Sequence, residues 1–340
     1  MRLCNVRMQN FSISYEKCNF AQKIDYMGRI TSILIACIAL TMIACGGGKK
    51  DDAKTDQNNS TVNNDLEAGK ITVGATEESY DLAQRLASNY VAQNTNMIVE
   101  VIPCKTTESK QLLSSGKVQL IVTGGSTNPF PDFESNAIAT DLLVLTVNFN
   151  NPVLQYLVMR GLDLKDLKGI FSTGSITNWN QVDKKAASSP LKPLAGPDST
   201  SSNLMIRAFL NSGFGQTVTS TLSENELISS ISAGPGSIVF MSHRLAYNQN
   251  SGFRANGVYV IPVDFDGNNV ANDSELIYDN LNSLKKSYSK GGFPKGLVRN
   301  HYFITTGKTE RSDIVKHFTN YAQKEASNVI SGAGYFQPLK

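Results

Sequence analysis

The stretch "KITVGATEESYDLAQRLASNYVAQNTNMIVEVIP", residues 70–103, decides how the rest of the chain is read. Its first seven residues form a short apolar run ending in a turn, which predicts a buried strand. Leu82, Leu86 and Tyr90 then recur at helical spacing within "SYDLAQRLASNYVAQN" (79–94). "MIVEVIP" (97–103) is a second strand. The pattern repeats at once, because "TESKQLLSSG" (107–116) is a short helix closed by glycine and "VQLIVTGG" (118–125) a third strand. Strands alternating with helices at this rhythm predict α/β units on a mostly parallel sheet. In open sheets of that kind, ligands bind beyond the carboxyl ends of strands. "GAT", "CKTTES" and "TGGST" lie at three such ends.

Downstream the same grammar continues. "LLVLTVNFNNPV" (142–153) is a longer apolar segment broken by Asn-Asn-Pro, and "DLKGIFSTGSITNWNQV" (166–182) reads as helix, turn and loop around the sole tryptophan, Trp179. Trp179 and Phe171 are expected in the core. "SPLKPLAGPDSTSSNLMIRAFLNSG" (189–213) is a strand, a hydroxyl-rich loop and a helix terminated by Gly213. "PGSIVFMSHRLAY" (235–247) is a strand with a short helix, "GVYVIPVDF" (257–265) opens the last section, and 311–334 is helical. There is no internal repeat and no coiled-coil heptad.

Composition bounds the function. A chain of 340 residues, 41% hydrophobic, is long enough for two domains with cores of their own. Of its 32 Lys and Arg and 29 Asp and Glu, residues 1–45 hold five basic and two acidic groups, leaving 27 of each in the body. A neutral body removes any bulk electrostatic case for nucleic acid. Cys4, Cys18, Cys37 and Cys45 precede the body, leaving Cys104 as an inert small hydrophobe. His243, His301 and His317 are scattered without metal-ligand spacing, so neither a metal nor a cofactor is expected. No Gly-x-Ser-x-Gly elbow or Walker loop is present, and an enzyme is not expected.

The N-terminus carries an address. In "MGRITSILIACIALTMIAC" (27–45) the run from Ile30 to Ala44 is short for a bilayer span, which takes about 20 residues, and has the proportions of a secretory signal. Its ending resembles a bacterial lipobox, which implies that residues 1–44 are removed and Cys45 is lipidated. Residues 45–69 are almost free of apolar side chains, so they are expected to form a flexible tether.

Three segments carry a resemblance. "AIATDLLVLTVNFNNPV" (137–153), "LKGIFSTGSITNW" (167–179) and "GPGSIVFMS" (234–242), in this order, resemble the periplasmic solute-binding proteins of phosphate ABC transporters, the PstS-like group. The resemblance runs from about residue 70 to the C-terminus. It implies an α/β, two-lobed periplasmic-binding-protein-like fold of type II with the ligand cleft between the lobes. Residues 70–149 with 251–340 would make the first lobe and 150–250 the second. It also implies a lipid-anchored protein of the bacterial envelope, periplasmic or at the cell surface, that passes a small oxyanion such as phosphate to an ABC permease.

The family's ligand loops are similar to segments at helix N-termini, where free N–H groups and the helix dipole favour anions. The first falls on Thr76, Glu77, Glu78 and Ser79, the second near Lys105, Thr106 and Thr107, and the third on Thr200, Ser201 and Ser202. Gly196 and Gln119 stand where the family has an arginine and an aspartate. The cradle is thus expected to keep hydroxyls without the guanidinium. Thr123 and Gly124 join the candidates because glycines at a strand end admit a ligand close to the backbone. For the hydroxyls of the second and third loops an ordinary helix cap stands beside ligand contact as a reading, and for Thr123 a plain turn does. Another small polar solute, or a surface adhesion or assembly role for the same fold, stands beside phosphate.

Overall fold

The computed structural model describes residues 68–220, 223–307 and 311–339. Cys45, the signal segment and almost all of the tether lie outside the described residues. Among the described residues no helix is long and apolar enough to cross a membrane.

The opening unit forms as the pattern dictates. Strand β1 is Gly69–Ala75, helix α1 Glu77–Gln93 and strand β2 Met97–Pro103, with β1 and β2 parallel. Leu82, Leu86 and Tyr90 are buried on the inner face of α1. Helix α2 (Thr106–Ser114) leads to β3 (Leu120–Gly124), which pairs parallel with the other side of β1.

The next strand changes the architecture. β4 runs from Glu134 to Asn148, 15 residues, so the apolar segment seen in sequence is only its second half. Its first half pairs antiparallel with β10 (Val298–Thr305), up to Leu142↔Val298. Its second half pairs antiparallel with β7 (Ser237–Ser242), starting at Leu143↔Ser242, and with β8 (Val258–Val260). β6 (Lys192–Leu194) adds parallel to β7. The large sheet therefore runs β2-β1-β3-β10-β4-β7-β6 with β8 on β4, and it is mixed rather than mostly parallel. The reason is that β4 and β10 traverse the molecule in opposite directions, while the local βαβ rhythm governs only the ends. A small pair, β5 (Leu162–Asp163) with β9 (Val263–Asp264), lies apart.

Two main apolar clusters form along this sheet. One gathers Val73, Leu82, Leu86, Tyr90, Phe303 and Phe318 with their neighbours. The other gathers Leu143, Leu157, Trp179, Ile206, Phe240 and Tyr288 with theirs. Trp179 is fully buried and donates Nε1–H to the Gly236 carbonyl at 3.2 Å, so it is core, as is Phe171. Val258 to Leu297 pack with the second cluster. Asn148 ends β4 by donating its amide to the carbonyls of Ile231 and Ser232, which explains the break at Asn-Asn-Pro.

Helix α3 is Leu154–Arg160, α4 Leu164–Lys168, α5 Ser201–Leu210, α6 Glu224–Ala233, α7 His243–Ala246 and α8 Leu281–Ser289. The C-terminal helical stretch divides into α9 (Ser312–Lys324) and α10 (Ser327–Gly332).

Candidate functional site

The site grows from two buried charged residues on neighbouring strands. Asp141 sits in the middle of β4 and Arg299 in β10, both with no exposed surface. β4 and β10 are adjacent, and the register sets Arg299 opposite Asp141. Arg299 donates Nε–H to Asp141 Oδ1 at 2.7 Å and Nη2–H to Oδ2 at 2.5 Å. Ser242 donates to the same Oδ2 at 2.7 Å, and His301 Nε2 lies 3.3 Å from Oδ1. Burial alone would raise the Asp141 carboxyl, but the Arg299 charge and its hydrogen bonds win and hold it well below the usual carboxylate range. Burial would likewise lower Arg299, and the charges of Asp141 and Glu224 more than offset it.

Three helix N-termini meet around this pair. α5 brings Ser202, whose hydroxyl accepts from Arg299 Nη1 at 2.5 Å, and α6 brings Glu224, whose Oε1 takes Nη1 at 3.3 Å and Nη2 at 3.2 Å. α1 brings Glu77 and Glu78. Guanidinium has five N–H donors, and Asp141, Ser202 and Glu224 engage all five. Glu77, Glu78, Thr200, Ser202, Glu224 and Phe240 help line a cavity of about 10 Å³, space for about one water. The cavity is narrowed by these side chains.

The charge balance is acidic. One guanidinium contacts Asp141 and Glu224, and Glu77 and Glu78 line the same cavity as Glu224. Glu78 is buried and accepts from the Gly124 N–H at 3.3 Å. Burial raises the Glu77 carboxyl, and repulsion from Glu224 and Glu78 raises it further, while the Glu224 backbone N–H pulls the other way. A carboxylate of the protein thus reaches the N-terminus of α6, the kind of position that favours an anion.

The candidates from sequence separate into groups. Ser202, Thr200 and Glu77 line the cavity. Thr200 is also the N-cap of α5, accepting from Asn203 N–H at 3.4 Å and donating to the Pro197 carbonyl at 2.9 Å, so the cap reading holds for it. Ser201 is buried with its hydroxyl unpartnered, packed on the loop after β3. A Cβ on Gly125 (φ +89°) would come within 2.8 Å of Ser201 Cβ, which is why that loop needs glycine. Thr76 and Thr123 are buried and bonded to each other at 3.4 Å. Gly124 meets the site through its N–H to Glu78 and through its place opposite His301 in the pairing of β3 with β10. Thr106 is half-buried, Thr107 is exposed, and neither lines the cavity.

Two departures are resolved by the fold. Gln119 bridges the Thr72 N–H and the Gly116 carbonyl, a structural tie away from the cavity. Gly196 does line the cavity, its carbonyl held by the Asn203 side chain at 2.6 Å, but the expectation of a cradle without charge is corrected. Arg299 supplies the guanidinium from another strand, behind Ser202 and Glu224. Sequence reading did not mark Arg299, Glu224 or His301 as site residues; Arg299 and His301 share β10, and α6 brings Glu224 to Arg299 from 75 residues away. The available signal was an arginine within the strand-like run "LVRNHYFI" and a lone aspartate in "AIATDLLVLTV".

Ser79 occupies a different role from the one expected. Its hydroxyl lies 2.8 Å from His301 Nδ1, and His301 Nε2 faces Asp141. The order is that of a nucleophile, a base and an orienting acid. Yet Ser79 and His301 have no exposed surface and Asp141 is already bound to Arg299, so the array straps α1 to the two long strands. The half-buried Cys104 thiol is pushed up to about 11 by burial, with Glu108 and Glu78 adding to it, which fits an unreactive cysteine.

A family model described as a PBP superfamily domain matches residues 56–325. Among solved structures, the fold is similar to an ABC-type phosphate transport receptor from Vibrio cholerae, with 19% identity, 79% of this chain and 100% of that chain covered, and a TM-score of 0.60. It is also similar to PstS from Borrelia burgdorferi, with 15% identity, 80% and 100% coverage, and a TM-score of 0.51. At these identities the likeness concerns the fold. No curated protein matches the chain in sequence.

Proposed function

The chain belongs to the PBP superfamily, and from that premise we propose that it is a solute-binding protein whose cleft opens and closes on a small anion, with phosphate the first candidate. The observation that supports this reading is the convergence of the α1, α5 and α6 N-termini in front of the Arg299 guanidinium. N–H groups, hydroxyls and one cation would replace water around an oxyanion there. In the present arrangement Glu224 and Glu77 take those donors, so binding requires them to swing aside.

The proposal takes the two apolar clusters as two lobes. The lobe built on Trp179 is drawn from Leu142 to Leu297, further than residue 250, because Val258 to Leu297 pack with it. β4 and β10 are then the hinge strands, and closure follows the hinge mode of two-domain binding proteins. Transfer to an ABC permease, and anchoring in a bacterial envelope through a lipid on Cys45, complete the reading.

A second reading has its own observation. Four carboxylates around one guanidinium suit a solute that carries a positive group as well as an anionic one. Calorimetric titration of the full-length protein with phosphate, sulfate and a panel of amino acids separates the two. Saturable heat with phosphate alone supports the first, heat with amino acids alone supports the second, and heat with neither sinks both.

A further inference from the structure

The loop after β9 reads "DFDGNNVANDSE", residues 264–275. Histidine and cysteine spacing carries no metal motif in this chain, but oxygen donors do here. Calcium loops of the EF-hand type place side-chain oxygens at positions 1, 3, 5 and 9, a backbone carbonyl at 7 and a glutamate at 12. Counting Asp264 as the first position puts Asp266 third, Asn268 fifth, the Val270 carbonyl seventh, Asn272 ninth and Glu275 twelfth. The sixth position, glycine in such loops because the chain turns sharply, is Asn269 at φ +62°. Asparagine is the residue after glycine that best tolerates that conformation. A strand precedes the loop, so the likeness is to the loop alone.

The carboxylates converge. One oxygen from each of Asp264, Asp266 and Glu275 falls within 4.8 Å of the others. Acidity by itself would mean little, and a second observation gives it weight: Asp264 and Glu275 are each 2% exposed, and neither has a cation at ion-pair distance among the described residues. Asp141, which has no exposed surface, is by contrast clamped by Arg299. A nearby cation, Arg160, donates Nε–H to the Asn269 carbonyl and Nη1–H to the Tyr156 hydroxyl instead. Backbone N–H groups of Gly267, Asn269, Phe265 and Asn272 hold the two buried carboxylates in place without neutralising them. Two buried like charges beside a third are costly unless a cation joins them.

We propose that residues 264–275 bind one calcium ion through Asp264, Asp266, Asn268, the Val270 carbonyl, Asn272 and Glu275. All donors are oxygen, the hard set that suits calcium rather than a softer metal. Adjacent contacts give the ion a structural task. The Ala271 N–H donates to the Met159 carbonyl at 2.9 Å, and Asp264 pairs with Asp163 across β9 and β5. A bound ion would therefore fasten the loop to the end of α3 and to β5.

The test uses the full-length protein stripped with a chelator and titrated with calcium chloride, with magnesium chloride in parallel, read by calorimetry and by thermal melting. One calcium per chain is expected, with a dissociation constant between about 10⁻⁶ and 10⁻³ M. Tm should rise with calcium concentration, as it does for any ligand of the folded state alone. Magnesium should bind about tenfold more weakly or less well still, because its smaller shell demands a stricter octahedron. Asp266→Asn, at an exposed position, should weaken calcium at least about tenfold, and Glu275→Gln should do so more strongly. No saturable calcium binding up to about 5 mM, above the weakest affinity of such loops, would overturn the proposal. So would wild-type affinity in Asp266→Asn, which also decides the matter if Glu275→Gln fails to fold. Neither readout depends on the cleft or its solute.

Discussion

Arg299 and Asp141 form a two-point ion pair in which both side chains are fully buried, at 2.7 and 2.5 Å, and each arrives from one of the two long antiparallel strands. The pair lies beside Leu142 and Val298, where the pairing of β4 passes from β10 to β7. It therefore ties the two strands together at the junction between the apolar clusters. Through Ser202 and Glu224 it also reaches the cleft.

Removing one partner leaves the other charge buried, which costs about 3–5 kcal/mol in comparable pairs. Asp141→Asn should lose an amount of that order in urea unfolding, even though it keeps the shape of the side chain. A loss below about 1 kcal/mol, the range of exposed pairs, would mean that water reaches Arg299 and that the junction between the two strands is loose.

His243 supplies a pH-dependent prediction on the same strands. Its Nδ1 accepts from the Leu142 N–H at 3.1 Å, and its Nε2 lies 3.0 Å from the Gly334 carbonyl, so the neutral Nε2–H form satisfies both. Burial, with Arg244 and Arg299 against protonation and Asp141 for it, lowers its pKa from 6.5 to about 4. The unfolded chain therefore binds the proton first as pH falls. The stabilisation is complete above pH 6.5 and is lost progressively down to about 4, roughly 3 kcal/mol in all by linkage. His243→Gln, which can offer one acceptor and one donor, should flatten that slope in unfolding curves taken between pH 7 and pH 4, whatever it does to absolute stability.

How much of this was legible in the sequence depends on range. α1 and β2 follow from local periodicity, and Leu82, Leu86 and Tyr90 lie where their spacing places them. The direction of β10 against β4 was not readable, because it depends on a return of the chain after more than 150 residues. The hydroxyl loop 199–202 was visible as a helix start with surplus hydroxyls. Its partner Arg299 lies 97 residues from Ser202, and nothing local marks it as the guanidinium of that loop. The calcium-type loop was fully local, and escaped a reading that looked for nitrogen and sulfur ligands.

Thr200 and Ser202, two residues apart in the sequence, should now part in their behaviour. Thr200→Ala removes the cap of α5 and should cost about 1 kcal/mol of stability, with anion affinity changed little. Ser202→Ala removes a hydroxyl that lines the cavity and accepts from Arg299, so it should leave stability nearly intact and weaken an anion about five- to tenfold, the worth of one hydrogen bond. Thermal melts and calorimetric titrations of both variants check the split. Equal losses of affinity with no loss of stability would make Thr200 a ligand contact rather than a cap.

Glu224 is the decisive side chain for the anion reading. Its Oε1 holds Arg299 Nη1 and Nη2 at 3.3 and 3.2 Å, the donors a phosphate or carboxylate ligand would need. It also repels Glu77 across the same cavity. An incoming anion must displace Glu224 and then sit beside it. Two like charges about 4 Å apart repel by about 4 kcal/mol at an effective dielectric near 20, and less in an open, solvated cleft. Glu224→Gln removes that charge while keeping an oxygen for the guanidinium, so phosphate affinity should rise about tenfold or more in calorimetric titration. The gain should shrink as salt is raised, because the interaction is partly exposed. A fall in affinity would show that the carboxylate itself grips the solute. The cleft would then be one that selects a positive group, and phosphate would be the wrong ligand class.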